Sequence, residues 1–202
     1  MAERSPRRSA LAGVCRAGDF GAVPQTGPGV VLAQRSGLDI VQIAADPRHY
    51  DRIATRVEDA TALALPQSPN RARVAGELTA LWTGPGRVLV VGPQGRDLEA
   101  ELARALVDEE VALTGLGHSR TVIRLSGPRL RDLLAKGCGL DFHPRAFRTG
   151  DAVQSHYEKI AVLLHARDDA PTVDLFVARS LAVSLWEHLI EGALEFGCRV
   201  TA

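Results

Sequence analysis

The chain is predicted to be α+β: duplicated ferredoxin-like βαββαβ halves whose mixed or antiparallel sheets are covered by helices. Three observations predict it. Gly-Pro-x-x-Arg-Asp-Leu occurs twice, at 92–98 and 127–133, each time after an aliphatic run. Short β-branched runs alternate with amphipathic stretches from residue 38 onward, in strand-helix-strand-strand-helix-strand order. Repeated units of this kind indicate a duplicated architecture.

The two copies read RVLVVGPQGRDL at 87–98 and TVIRLSGPRLRDL at 121–133. Gly-Pro stops the strand, and proline at the first helical position has no N–H to leave unpaired. Pro93 and Pro128 are both expected in a first helical turn, with 87–98 and 122–133 superposable. A weaker third copy follows 38–44, where Asp46-Pro47 opens a helix bearing Asp51-Arg52-Ile53. A good helix start is a sufficient reason for the repeat.

In order, 1–8 is a charged tail, and 9–15 is too short for the apolar core of a signal peptide. Gly18, Gly21, Pro24, Gly27, Pro28, Gly29 and Gly37 break up 16–37. Residues 1–37 are therefore expected to be a tail and loose leader without a core element. The first half, 38–117, reads strand 38–44, helix 47–58, a loop at 63–75, strands 77–83 and 87–91, helix 94–107 and strand 111–115. The second half, 118–200, reads strand 118–125, helix 127–136, loop 137–150, strands at 153–165 and 172–177, and helix 179–196. A turn at Asp168-Asp169-Ala170-Pro171 separates its last two strands.

Composition excludes several classes. Lys plus Arg and Asp plus Glu are 24 each, so neither a basic nucleic-acid footprint nor an acidic tail is present. Three widely spaced cysteines, Cys15, Cys138 and Cys198, suggest free thiols in a reducing compartment. No apolar run approaches the ~20 residues of a membrane span. A cytoplasmic protein with no membrane or nucleic-acid partner is expected.

Chemistry-bearing motifs are sparse. Val91-Gly92-Pro93-Gln94-Gly95 lies between strand and helix, but it lacks P-loop and dinucleotide spacing, and Pro93 removes an N–H. Cys138 and His143 have no second pair at zinc spacing. His118 and Ser119 alternate across a strand and cannot form a nucleophile–base pair. No catalytic, cofactor-binding or metal-binding residue is expected. The loop 141–147 differs: Pro144 forces His143 to be extended, and Phe142 and Phe147 flank Arg145. The last helix carries an apolar stripe of Ala182, Leu185, Trp186, Leu189, Ala193 and Phe196. Candidate subunit contacts are Phe142, His143, Arg145, Phe147 and Trp186. A Trp at this helical spacing is more often core than contact, so Trp186 reads first as core.

GPRLRDLLAKGCGLDFHPRAF at 127–147 and FVARSLAVSLWEHL at 176–189, with Glu195-Phe196-Gly197, resemble the gamma subunit of heterotetrameric sarcosine oxidase. The resemblance runs through 118–197, with weaker likeness at 87–107 and 38–60. It implies a non-catalytic structural subunit of a flavoenzyme that oxidatively demethylates sarcosine to glycine. Its partners would be the alpha, beta and delta subunits. FAD, FMN, NAD and tetrahydrofolate would be held by the large subunits and zinc by the smallest, with no cofactor in this chain. The resemblance also implies fold kinship to the folate-binding aminomethyltransferase domain. Two alternatives follow. One is a folate-binding one-carbon-transfer module using Asp97, Asp132 or Asp141 as the pterin carboxylate. The other is an enzyme with Cys138 as nucleophile and His143 as base.

Overall fold

Twelve strands and four α-helices build the chain in a computed structural model that describes residues 8–201. Apart from Arg8, the charged tail expected at 1–8 lies outside the described residues. The segment before the first half holds β1 (Gly18–Phe20) and β2 (Val30–Arg35). The first half runs β3 (Leu38–Ala45), α1 (Tyr50–Thr61), β4 (Ala72–Ala75), β5 (Leu78–Gly84), β6 (Arg87–Pro93), α2 (Leu98–Ala105) and β7 (Val111–Gly115). The second runs β8 (Arg120–Ser126), α3 (Leu130–Gly137), β9 (Ala152–Tyr157), β10 (Ile160–Asp168), β11 (Thr172–Ala178), α4 (Ala182–Ala193) and β12 (Cys198–Thr201).

Each half thus follows strand, helix, three-stranded meander, helix, strand. The α+β class and the duplication stand, with one more strand than expected in the first half and two more in the second. In the first half the addition is β4, within a stretch read as loop. It is a short edge strand with two exposed residues in the middle, so it has no apolar run to signal it. In the second half the run 153–165 is two strands, turned at Glu158, whose φ is 53°. The closing strand β12 follows the last helix.

The five-stranded sheet has the order β4-β5-β6-β3-β7, and the seven-stranded sheet β1-β12-β2-β8-β11-β10-β9. Helices α1 and α2 cover the outer face of the first, through Ile53, Val57, Leu98 and Leu102 against Val41, Ile43, Val88 and Val90. Helices α3 and α4 cover the outer face of the second, through Leu130, Leu133, Leu134, Leu185 and Leu189 against Ile123, Leu125 and Leu175. The inner faces meet where Ile40, Leu81, Leu89 and Val91 touch Val122, Leu163 and Phe176. The layers are helix, sheet, sheet, helix.

The leader reading of 16–37 is corrected. Strand β2 runs antiparallel to β8 and parallel to β12, with Val30 and Leu32 fully buried. Leu11 is also fully buried. The glycines serve close approach rather than looseness. A Cβ at Gly29 would stand 2.4 Å from the Phe196 carbonyl oxygen, and one at Gly21 2.2 Å from that of Leu194. Both distances are shorter than any side chain tolerates.

The Gly-Pro repeat also reads differently in three dimensions. Each copy is a strand followed by a helix, but neither proline opens one. Gly92 and Pro93 end β6, and α2 begins only at Leu98, after Asp97 in the left-handed region (φ 56°). In the second copy Gly127 and Pro128 form the turn, and α3 begins at Leu130. Moreover β6 is the third core strand of its half and β8 the first. The sequence repeat therefore does not align the structural halves; the counterpart of β8–α3 is β3–α1, the weaker third copy.

Candidate functional site

Buried polarity concentrates in a row across the inner face of the seven-stranded sheet. Arg124 on β8 stands opposite Asp174 on β11, and Asp174 opposite His165 on β10. Period-two alternation places them on the same face as Val122, Phe176 and Leu163, toward the other sheet. Arg124 binds Asp174 with two arms, Nε donating to Oδ1 at 2.7 Å and Nη2 to Oδ2 at 2.8 Å. Arg167 Nη1 donates to Oδ2 at 3.4 Å, and Arg35 Nη1 lies 3.9 Å from the same oxygen. Three guanidinium groups therefore share one carboxylate.

Asp174 is buried, which a carboxylate tolerates only when it is paired and hydrogen-bonded. The hydrogen bond to Asp174 raises the pKa of Arg124, whereas burial, and then repulsion from Arg124, lowers that of Arg35. His165 is 1% exposed, and its Nδ1 finds no hydrogen-bond partner among the described residues. Burial, aided by Arg167, pulls its pKa down to about 4, so the imidazole is neutral at pH 7. Sequence reasoning singled out none of these residues. The signal was available: Arg124, His165 and Asp174 each interrupt an otherwise apolar strand, where charged groups are rare unless paired.

The loop 138–151 folds back onto the sheet instead of projecting. Phe142 and Phe147 are both buried, packed edge to face with centroids 5.4 Å apart. Arg131 of α3 holds them there by donating from Nη1 to the Phe142 oxygen at 2.5 Å and the Phe147 oxygen at 3.1 Å. Along the same loop the Asp141 carboxylate accepts from the His143 N–H at 2.8 Å, and His143 Nδ1 accepts from the Arg145 N–H at 3.2 Å. Trp186 is buried in the core with Leu185 and Leu189. Of the five candidate contacts, Phe142, Phe147 and Trp186 belong to this chain's own core; His143 and Arg145 are exposed. The apolar surplus near the last helix lies instead at its ends, where Leu181 and Leu194 are each 41% exposed. Phe196 lies under the Arg129 guanidinium at 4.5 Å and the Lys136 ammonium at 5.1 Å.

The sarcosine oxidase, gamma subunit family matches residues 42–195. The chain belongs to that family. The gamma subunit of sarcosine oxidase from Corynebacterium sp. (strain P-1) is 40% identical over 107 residues, 52% of this chain and 53% of the relative. That from Arthrobacter sp. is 41% identical over 101 residues, 50% of each. The chain thus spans about half the length of the curated relatives it matches. A chain in the structure of heterotetrameric sarcosine oxidase from Corynebacterium sp. U-96 in complex with pyrrole 2-carboxylate superposes with a TM-score of 0.82 at 25% identity. The superposition covers 94% of this chain and 96% of that one. The glycine cleavage system aminomethyltransferase T from Bartonella henselae shares the fold at a TM-score of 0.63 and 16% identity, over 93% of this chain and 56% of the other.

In this gamma-family chain the residues named for other chemistries do not converge. Cys138 is buried with Sγ 3.5 Å from Ser155 Oγ, while His143 is exposed on the loop. Asp97 is exposed, Asp132 is tied to Arg129 at 2.5 Å, and Asp141 accepts from its own loop. All three cysteines are free, with Cys138 and Cys198 buried; burial pushes the Cys198 thiol up to about 11. Among the described residues, no helix is long and apolar enough to cross a membrane.

Proposed function

We propose that this chain is a non-catalytic structural subunit of a heterotetrameric sarcosine oxidase, which demethylates sarcosine oxidatively to glycine in the cytoplasm. Its partners are the alpha, beta and delta subunits, and those chains carry the FAD, FMN, NAD and tetrahydrofolate. The observation behind this reading is the superposition on a chain of a heterotetrameric sarcosine oxidase over 94% of this sequence. The side chains agree with it. Cys138 and His143 occupy different environments, one buried and one exposed, and Asp132 and Asp141 are engaged locally. Exposed Leu181 and Leu194, flanking α4, supply apolar surface for a neighbouring subunit.

The test is affinity capture of the tagged chain from its native cell, followed by gel filtration. Flavin absorbance and sarcosine-dependent turnover should co-elute with the chain. Recovery of the chain free of any flavoprotein sinks the proposal. Calorimetry with tetrahydrofolate on the same chain separates it from a folate-binding module, which takes up the ligand without other subunits.

A further inference from the structure

A cleft of about 330 Å³ opens between the two sheets at the polar row. Its walls include Arg35, Arg167, His165 and Asp174 from the seven-stranded sheet, Val91 from the five-stranded one and Glu77 from the turn between β4 and β5. That volume lies at the small end of the range for small-molecule sites, roughly 300–1,000 Å³.

Arg35 and Arg167 line the cleft with two positive groups, against Asp174 and the exposed rim residue Glu77. Arg124, outside the lining, already pairs with the Asp174 carboxylate, so the two lining guanidinium groups do not depend on Asp174 alone for a counter-charge. Arg124 saturates its bidentate geometry on Asp174. Arg167 and Arg35 are held only loosely, at 3.4 and 3.9 Å. Their side chains are 30% and 33% exposed, so their guanidinium groups reach the cleft without full hydration. His165 adds an independent observation. It lines the same cleft, is 99% removed from solvent, and keeps an unpartnered Nδ1. A buried polar nitrogen without a partner among the described residues is rare and costly, and one that lines a cleft is satisfied by a group bound there. In the Nδ1–H tautomer the ring nitrogen is a donor, as are the free guanidinium N–H groups.

We propose that this cleft binds a small oxyanion, the phosphate or carboxylate of a compact molecule. Arg35 and Arg167 hold its charge, His165 Nδ1–H donates to it, and Val91 and Phe176 pack against its apolar part. Guanidinium forks suit both head groups because each presents two coplanar oxygens. Asp174 is engaged by Arg124 through both oxygens and competes with the bound anion for Arg35 and Arg167. The proposal does not depend on the sarcosine oxidase reading.

Isothermal titration calorimetry of the full chain tests it, at fixed ionic strength so that general screening is constant. The probes are inorganic phosphate and hexanoate. A 1:1 binding heat with either supports the proposal, and which probe binds more tightly identifies the head group. Arg35→Gln and Arg167→Gln should each weaken that binding about tenfold or more, as expected for a hydrogen bond to a charged group. Both residues are partly exposed and loosely paired, so both variants should fold. Asp174→Asn should bind the probe more tightly than wild type, an effect a purely structural ion pair does not produce. If Asp174→Asn fails to fold, the two arginine variants decide alone. No heat with either probe up to about 10 mM, or equal binding in both arginine variants and wild type, overturns the proposal.

Discussion

The two halves share one succession of elements yet differ in what lies between their first and last strands. In the first half β7 pairs directly with β3. In the second, β2 from the N-terminal segment separates β12 from β8. Their inner faces differ as well. The first presents Ile40, Leu81, Leu89 and Val91; the second adds Arg35, Arg124, His165 and Asp174. One copy of the duplication is closed, its buried inner face uncharged, while the other has gained a strand and a charged row, with Arg35 supplied by the added strand itself.

Deleting residues 8–37 should have the largest effect. It strips β12 and β8 of their shared neighbour and exposes the surface that Val30 and Leu32 cover, so the second half should lose its fold. The loss should show in circular dichroism and in solubility. A soluble, cooperatively melting truncated chain breaks the comparison. Next comes Trp186→Ala. Emptying that site should cost about 3–5 kcal/mol, a large share of the ~5–15 kcal/mol that holds a domain. The counterpart Leu98→Ala in the first half should cost about 2–5 kcal/mol. Denaturant titration of both variants shows whether the halves unfold together.

A third, smaller effect is set by pH. The pKa of His165 in the folded chain is about 4, against 6.5 for the free side chain. As pH falls below about 6.5 the unfolded chain takes up this proton first, so stability is full above that value and declines until about 4. The shift corresponds to about 3 kcal/mol. Unfolding titrations of wild type and His165→Leu at pH 7 and 4.5 should show the variant losing less stability on acidification. Equal losses remove His165 from the account. The smallest effect is expected from His143→Ala, which removes an exposed ring from a loop whose aromatic anchors stay in place. Turnover per flavin on the intact complex should remain within about tenfold, against the ~10²–10⁴-fold contributed by a general acid or base.

Much of the fold was legible because burial follows period. The stripe Ala182, Leu185, Trp186, Leu189 and Ala193 is buried as its spacing requires, and the strands at 38, 78, 87 and 111 begin within a residue of where their aliphatic runs predict. Glycine misled where it serves contact: Gly29, and Gly21, which also turns the chain at a φ of 71°, look like linker residues and are packing residues. The aromatic loop misled in the opposite direction. Pro144 and the flanking rings indicate rigidity but not direction, which depends on Arg131 reaching two carbonyls from a different element. The polar row was illegible for a related reason: its members come from four strands, and no local spacing brings Arg35 to Asp174.

The placement of β2 has a consequence for synthesis on the ribosome. The ion pair between Arg199 and Asp19 joins residues 180 positions apart, and β2 meets β12 over a similar span, whereas the first half closes within residues 38–115. At roughly 5–20 residues per second, the edge of β2 that faces β12 waits some 10–30 s for its partner, although β8 reaches the other edge earlier and the first half already has all its strands. Ribosome-stalled chains ending before residue 198 should therefore leave the β2 region open to limited proteolysis and protect the β3–β7 region. Until β12 emerges, the nascent chain carries β2 with one hydrogen-bonding edge unpaired, while the edge that faces β8 can already be satisfied.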